Sequence, residues 1–314
     1  MYLCLSASLA DHVSNRFNKH FLLLHLIVFI WGFSPILGRF ITANVWQLVW
    51  FRILITVAAM FLYLIISKQQ IRVSRRQLWQ LGGIGIIIMV HWLTFYGAIK
   101  ASNISVTMVA FSTGTLFSAV IEPFFFKRKV RLYEIVIGLV IIAAIALIFS
   151  IETQFWLGII LGIVAAFTSS LFGVLNGIMS HRLPPAVISF YEIGSALLGL
   201  TLFIAYTVGF NTEFFVLDMQ SVTGILLLSL VCTVFPFITS VNLARYISPY
   251  TIVLTINLET VYGIIWAILF YRENQEVSPS FYIGVCIILA AIFLNSYLRG
   301  LSERNKPQPE ELLN

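Results

Sequence analysis

Charge is what this 314-residue sequence has least of: Asp, Glu, Lys and Arg together make up 10% of it, against 60% apolar residues. Soluble domains carry about a quarter of their residues as charges, so a water-soluble globule is excluded. Cysteine is nearly missing as well. Cys4, Cys232 and Cys286 stand alone, without CxxC or disulfide spacing, which removes a disulfide framework and a thiolate metal centre. The histidines have no metal-ligand spacing, and there is no HExxH motif, no GxSxG elbow and no GxxxxGK[ST] phosphate loop. No enzyme, metal or cofactor is therefore expected, nor direct ATP drive within the chain. Neither a repeated pore loop nor rings of charge suggest an ion channel. The first twenty residues lack a basic n-region and a cleavable apolar segment, so no secretory signal peptide is predicted.

Long apolar runs are abundant. Ten recur, near 21–41, 46–66, 78–98, 103–126, 133–150, 155–179, 186–208, 221–241, 249–271 and 279–298. A helix needs about 20 apolar residues to cross roughly 30 Å of hydrocarbon. An all-α integral membrane protein with ten transmembrane helices is expected, with the lipid bilayer as its solvent. Basic loops stay in the cytoplasm. Arg16 and Lys19 precede the first run, and Lys68, Arg72, Arg75 and Arg76 lie between the second and third. Lys127, Arg128, Lys129 and Arg131 follow the fourth, His181 and Arg182 the sixth, and Arg299, Arg304 and Lys306 the last. The alternate loops hold Glu152, Glu213, Asp218 and the Arg272–Glu276 segment. Both termini are thus predicted in the cytoplasm, with short loops suggesting a bacterial inner (cell) membrane. The net charge of +6 reports membrane orientation, and a nucleic-acid partner is not expected because no aromatic-basic surface joins these loops.

The chain also repeats itself. Ala98–Leu147 and Leu243–Leu294 each begin with a basic residue, Lys100 or Arg245, followed by a long apolar run. Each run ends in an aromatic-charge junction, Phe126-Lys127-Arg128 or Tyr271-Arg272-Glu273, and a second run follows with Gly138 or Gly284 near its start. Phe51-Arg52 matches Tyr191-Glu192, and Trp31-Gly32 matches Ser169-Ser170. Matching loops carry opposite charge, which predicts two inverted five-helix repeats, the organisation of a secondary transporter. The expected divisions are a cytoplasmic segment over 1–20, repeats over 21–150 and 155–298, and a disordered polar tail over 299–314.

At this point the residues resemble an EamA-type member of the drug/metabolite transporter superfamily. The resemblance rests on Phe29-Ile30-Trp31-Gly32-Phe33-Ser34, Phe51-Arg52-Ile53-Leu54-Ile55 and Tyr96-Gly97-Ala98-Ile99-Lys100-Ala101-Ser102. Leu243-Ala244-Arg245-Tyr246-Ile247-Ser248-Pro249 and Asn257-Leu258-Glu259-Thr260-Val261 complete it. It implies alternating access and a small-molecule substrate, such as an exported amino acid or related metabolite, or a drug-like compound. Two departures stand out. The family usually has Pro after the Glu of the ninth span, where this chain has Thr260, and a Gly-Glu pair after each fourth helix, where the first half has Lys127-Arg128.

Ionisable groups inside spans are expensive and mark candidate sites. Glu259 leads, about 15 Å into its helix and thus near the midplane. Helical spacing groups it with Thr255, Tyr262 and Trp266. Arg52 and Glu192 hold corresponding positions in the two halves and read either as gates or binders of a zwitterion, or as helix anchors at the interface. His91 sits near Trp92, Phe95 and Tyr96; it reads as a proton carrier or as a neutral bridge between helices. Glu259 and His91 permit proton coupling without requiring it. Glu122 is expected to pair locally with the Lys127 cluster. Trp31, Tyr96 and Tyr262 are expected in an amphipathic pocket, and Pro35 and Pro236 as hinges. Export of an amino-acid-like metabolite is the leading expectation. A multidrug or organic-cation exporter, and an integral membrane enzyme or scaffold without transport, stay open beside it. Oligomeric state is not legible.

Overall fold

The structure, a computed structural model, describes residues 19–127 and 130–304. The segment before Lys19, with Cys4 and Arg16, lies outside them, as do Arg128, Lys129 and the tail from 305 with Lys306. Ten helices run in sequence: α1 (Lys19–Phe40), α2 (Val45–Ile66), α3 (Arg75–Ala101), α4 (Ile104–Phe126) and α5 (Leu132–Ile151) in the first half. The second half holds α6 (Trp156–Ser180), α7 (Pro185–Thr207), α8 (Met219–Leu243), α9 (Pro249–Tyr271) and α10 (Pro279–Arg304). Among the described residues nine are long and apolar enough to cross a membrane, and the tenth, α10, is apolar over Pro279–Asn295. No strand occurs among them. Backbone groups in hydrocarbon must be satisfied within their own segment, and helices do this.

Polar residues at the loop ends start the helices. Asn44 and Gln47 form a capping box on α2, Ser74 and Gln77 another on α3, and Asn103 accepts the Val106 N–H at 2.9 Å on α4. Ser248 and Asp218 cap α9 and α8. Lys127 and Arg272 end α4 and α9 in the left-handed region, at φ 53° and 54°. These are the two junction residues that the repeat aligns, so the halves share even this backbone turn, which Gly would adopt without steric cost.

The packing repeats likewise. α3 lies against α6 and α7, and its counterpart α8 lies against α1 and α2. Three pairs of counterparts pack on each other: α2 with α7, α4 with α9, and α5 with α10. Lys100, at the end of α3, donates to the carbonyl of Ile41 just past α1. Its counterpart Arg245, just past α8, donates to the carbonyls of Ser180 and Leu183 at the end of α6. Each cation thus meets the negative end of the first helix of its own half.

Loop contacts define two ends. At one, which we call the acidic end, Gln47 donates to the Phe214 carbonyl at 3.0 Å, and the Ser278 N–H donates to Glu152 at 2.7 Å. At the other, the basic end, Tyr191 donates to the Ile71 carbonyl at 2.7 Å and His20 stacks on Tyr246.

Lipid is as apolar as the helix sides, so close approach of small residues must hold the bundle together. A Cβ on Gly85 of α3 would stand 2.2 Å from the Glu192 carbonyl oxygen and 2.8 Å from the Ser195 Cβ on α7. Gly85→Ala must therefore push two backbones apart, at about 1–3 kcal/mol. The apparent melting temperature of the detergent-purified variant should fall by several degrees. Gly83→Ala, two residues away on the opposite face of α3 and open within 4 Å, should leave it unchanged or raise it. Equal melting of the two variants would mean that α3 and α7 are not in backbone contact.

Candidate functional site

Three of the helices are broken where the two halves meet. α1 turns at Gly32–Phe33 just before Pro35, α4 turns at Ser112–Thr113, and α8 widens into a π-turn over Leu230–Val234 just before Pro236. Proline has no N–H, so it leaves the carbonyl four residues earlier without a helical donor. For Pro236 that carbonyl is Cys232, and it accepts the indole N–H of Trp31 at 3.1 Å. The hinge expected at Pro236 is thus tied to α1 just before the one expected at Pro35. In α4 the Ser112 and Thr113 hydroxyls donate to the carbonyls of Val109 and Ala110 at 2.6 and 2.7 Å, competing locally with the helix ladder.

Between the breaks lies a cavity of about 100 Å³. Arg52, Glu259, His91, Tyr96 and Trp31 all line it, and so do Trp92, Phe95, Phe111, Phe172 and Phe237. Arg52 is 3% exposed. Its Nε donates to Thr233 Oγ1 at 3.0 Å and its Nη1 to Tyr96 OH at 2.8 Å. The guanidinium lies 4.3 Å from the Trp92 ring centre and 5.2 Å from that of Tyr96, both within cation–π range. Arginine has five N–H donors; two are used here, so three remain for something in the cavity. Glu259, 6% exposed, faces the same space, accepts no hydrogen bond from the described residues, and forms no ion pair with Arg52. An arginine and an acid therefore flank one aromatic cavity without a salt bridge between them. His91 is on the same wall, with its Nδ1 bonded to the Ala165 carbonyl at 2.9 Å.

Against this geometry, the model of the EamA-like transporter family matches the chain twice, over residues 18–150 and 156–297. The chain belongs to the EamA-like transporter family. It is also 24% identical over 203 residues to an uncharacterized transporter of Archaeoglobus fulgidus, covering 64% of this chain and 69% of that one. A solved crystal structure superposes with a TM-score of 0.66 at 12% identity, over 89% of this chain and 98% of the other, a likeness of fold alone. The protein is a multi-pass membrane transporter of small molecules, and the bilayer is its solvent.

This EamA-like chain places its other candidates elsewhere. Thr255 donates to the Thr251 carbonyl and lines a separate groove with His25 and Phe293. Tyr262 packs edge-on against Phe29, its Cβ 2.8 Å from where a Cβ on Gly32 would lie. Trp266 stacks on Phe33 at 5.1 Å. The polar stripe read along α9 is divided: Glu259 alone reaches the cavity. Glu192 is fully buried on α7 behind Asn176, which does line the cavity. Glu122 is buried on α4. Thr260, where the family usually has Pro, donates to the Met108 carbonyl of α4 at 3.1 Å; α9 keeps an unbroken ladder there and α4 carries the break instead. Thr233 and Asn176 on the cavity wall are not among the residues named from sequence, and Trp92 and Cys232 are named there without a role in the pathway. A polar residue three or four places before a mid-span Pro, as Thr233 and Cys232 are to Pro236, was the signal to follow.

The two ends of the cavity differ. Its lining extends to Ala244 and Ile252, at the basic end. The acidic end is sealed by a polar net. Glu273, wholly buried, pairs with Arg39 of α1 and accepts the backbone N–H groups of Ile104 and Ser105 at 2.9 and 2.7 Å. The Ser105 hydroxyl adds a further bond at 2.7 Å, and Glu276 holds Arg39 at 2.6 Å. Nearby, Asp218 accepts from Thr42 and from the Ser221 N–H at 2.6 Å, bonds that hold its carboxyl below the usual range.

Proposed function

We propose that the protein is a secondary transporter that exports a small zwitterionic metabolite of amino-acid type across the cell (inner) membrane by alternating access. One observation supports this reading most: Arg52 with three free donors and Glu259, which accepts no hydrogen bond from the described residues, line one aromatic cavity. In the proposal Arg52 takes the substrate carboxylate, Glu259 the ammonium, and the rings of Trp92, Phe95, Phe111 and Phe172 the side chain. The unoccupied N–H groups of Arg52 suit a carboxylate because the guanidinium fork binds it in two parallel bonds. Pro35, Pro236 and the Trp31–Cys232 bond are the joint on which the halves rock. Placing the basic end, with Arg72, Arg75, Arg182 and both termini, in the cytoplasm follows the positive-inside rule. The cavity lining then reaches the cytoplasmic end, where an exporter loads.

The test is counterflow into proteoliposomes loaded with a mixture of amino acids, followed with labelled amino acids outside. Saturable exchange is expected, competed by zwitterions. Amino-acid methyl esters, which lack the carboxylate, and N-acetyl amino acids, which lack the ammonium, should compete at least about tenfold less well, the loss of one charge-assisted hydrogen bond. Competition by lipophilic organic cations instead would favour a drug exporter built on Glu259 and the aromatic walls.

A further inference from the structure

Glu192 is an intramembrane acid that the cavity pair leaves unused. Glu192 is the eighth residue of α7, its side chain fully out of solvent. One oxygen, Oε2, accepts from Asn176 Nδ2 at 3.2 Å; the other, Oε1, has no partner, and neither has Oδ1 of the same Asn176. Two buried acceptors therefore lack a donor at one spot among the described residues, where an orphaned polar atom is costly. Among the described residues no cation is bonded to them. The charged groups inside the helices packed on α7 are Arg52 on α2 and His91 on α3, and each makes its bonds elsewhere. Arg245, past α8, is spent on the carbonyls of Ser180 and Leu183, and Lys100, past the middle of α3, on that of Ile41. Arg75 and Arg76 sit at the start of α3 and His181 past the end of α6.

From this placement we infer that Glu192 and Asn176 form a proton-binding site that couples proton movement to substrate movement; the inference rests on the transport reading above. A carboxylate is acceptor-only, while a carboxylic acid carries one O–H donor, so a single proton supplies what the site lacks. Asn176 belongs both to this pair and to the cavity wall. Hydronium in cavity water is the proton source, the Glu192 carboxylate takes the proton, and the acid returns it to water when the site opens to the other side; no electrons move. The site is also well placed to sense rocking. α3 of the first half presses Gly85 against the Glu192 carbonyl, while α6 of the second half brings Asn176. A shift of one half against the other must reshape the pocket around this one carboxyl.

The experiment uses proteoliposomes holding a trapped pH-sensitive dye and the labelled amino-acid mixture of the counterflow assay. Native protein should accumulate label when a pH gradient is imposed, with substrate-dependent proton flux. Glu192→Gln, which mimics the protonated acid, should keep counterflow within about threefold and lose both accumulation and proton flux. Gradient-driven accumulation by Glu192→Gln, or native counterflow with no proton flux, overturns the inference while leaving the transport reading intact. Absence of native counterflow fails the transport reading and the inference with it. Should the variant not reach the membrane, native protein is treated with an apolar carbodiimide. Modification of Glu192 that blocks accumulation but spares counterflow supports the site, and an unreactive Glu192 at every pH from 5 to 8 overturns it.

Discussion

Glu259→Gln should raise the KM for counterflow of a zwitterionic amino acid by about tenfold to a hundredfold. The effect should vanish for any substrate whose amine is acetylated. Glu259 stands buried against the cavity that Arg52 also lines, and accepts no hydrogen bond from the described residues. A carboxylate in that position exerts its full attraction only on a cationic group brought from outside, and one charge-assisted hydrogen bond is worth about 1.5–3 kcal/mol. Every 1.4 kcal/mol is tenfold in affinity, which sets the range. Arg52→Lys should complement it. Lysine keeps the charge but loses the fork and the bonds to Thr233 and Tyr96, so affinity for carboxylates should fall by a similar factor while methyl esters compete as before. The decisive measurement is the pair of KM ratios, free against acetylated amine and free against esterified carboxyl, in each variant. Equal losses for all three substrates would mean that the two residues shape the cavity and do not recognise charge.

The sequence showed the large-scale order well, because membrane crossing is enforced residue by residue. A run near 133–150 becomes α5 over Leu132–Ile151, and one near 249–271 becomes α9. The repeat reading succeeded where backbone demands are identical in both halves. Lys100 and Arg245, paired from sequence alone, each hold the end of their own half's first helix, and Lys127 and Arg272 share one left-handed turn. The cavity was only half legible. Rules for intramembrane charge find Arg52 and Glu259, which are costly to bury, and pass over Thr233, which holds Arg52, and Asn176, which holds Glu192. Periodicity along α9 grouped Thr255 and Tyr262 with Glu259, yet residues a turn apart diverge once neighbouring helices interrupt the face. The break in α4 had no proline to announce it; two hydroxyls at Ser112 and Thr113 make it through bonds that only the folded chain displays.

Glu273→Gln should open the acidic end. This carboxylate is wholly buried, receives two backbone N–H groups and one hydroxyl from the start of α4, and pairs with Arg39 of α1. α1, α4 and the α9–α10 loop are thus held by one anion. At the basic end the repeat places Arg128, outside the described residues, after Lys127. Gln keeps the shape but turns one acceptor into a donor and removes the charge. Breaking a buried pair costs about 3–5 kcal/mol, and because Arg39 is 29% exposed the lower figure applies, about 3 kcal/mol. If the net forms only when that end is shut, the shut and open populations shift by roughly a hundredfold. Cys232 reports this directly, since it is a free, buried thiol on the cavity wall. With Cys4 and Cys286 replaced by Ser, a membrane-impermeant maleimide added on the acidic side should label Cys232 slowly in the native background. Labelling should be at least tenfold faster in Glu273→Gln. Glu276→Gln, which loosens Arg39 at a half-exposed position, should accelerate it far less. Unchanged labelling in Glu273→Gln would show that the seal is made by apolar packing of α1 on α9, and that the anion serves only the start of α4.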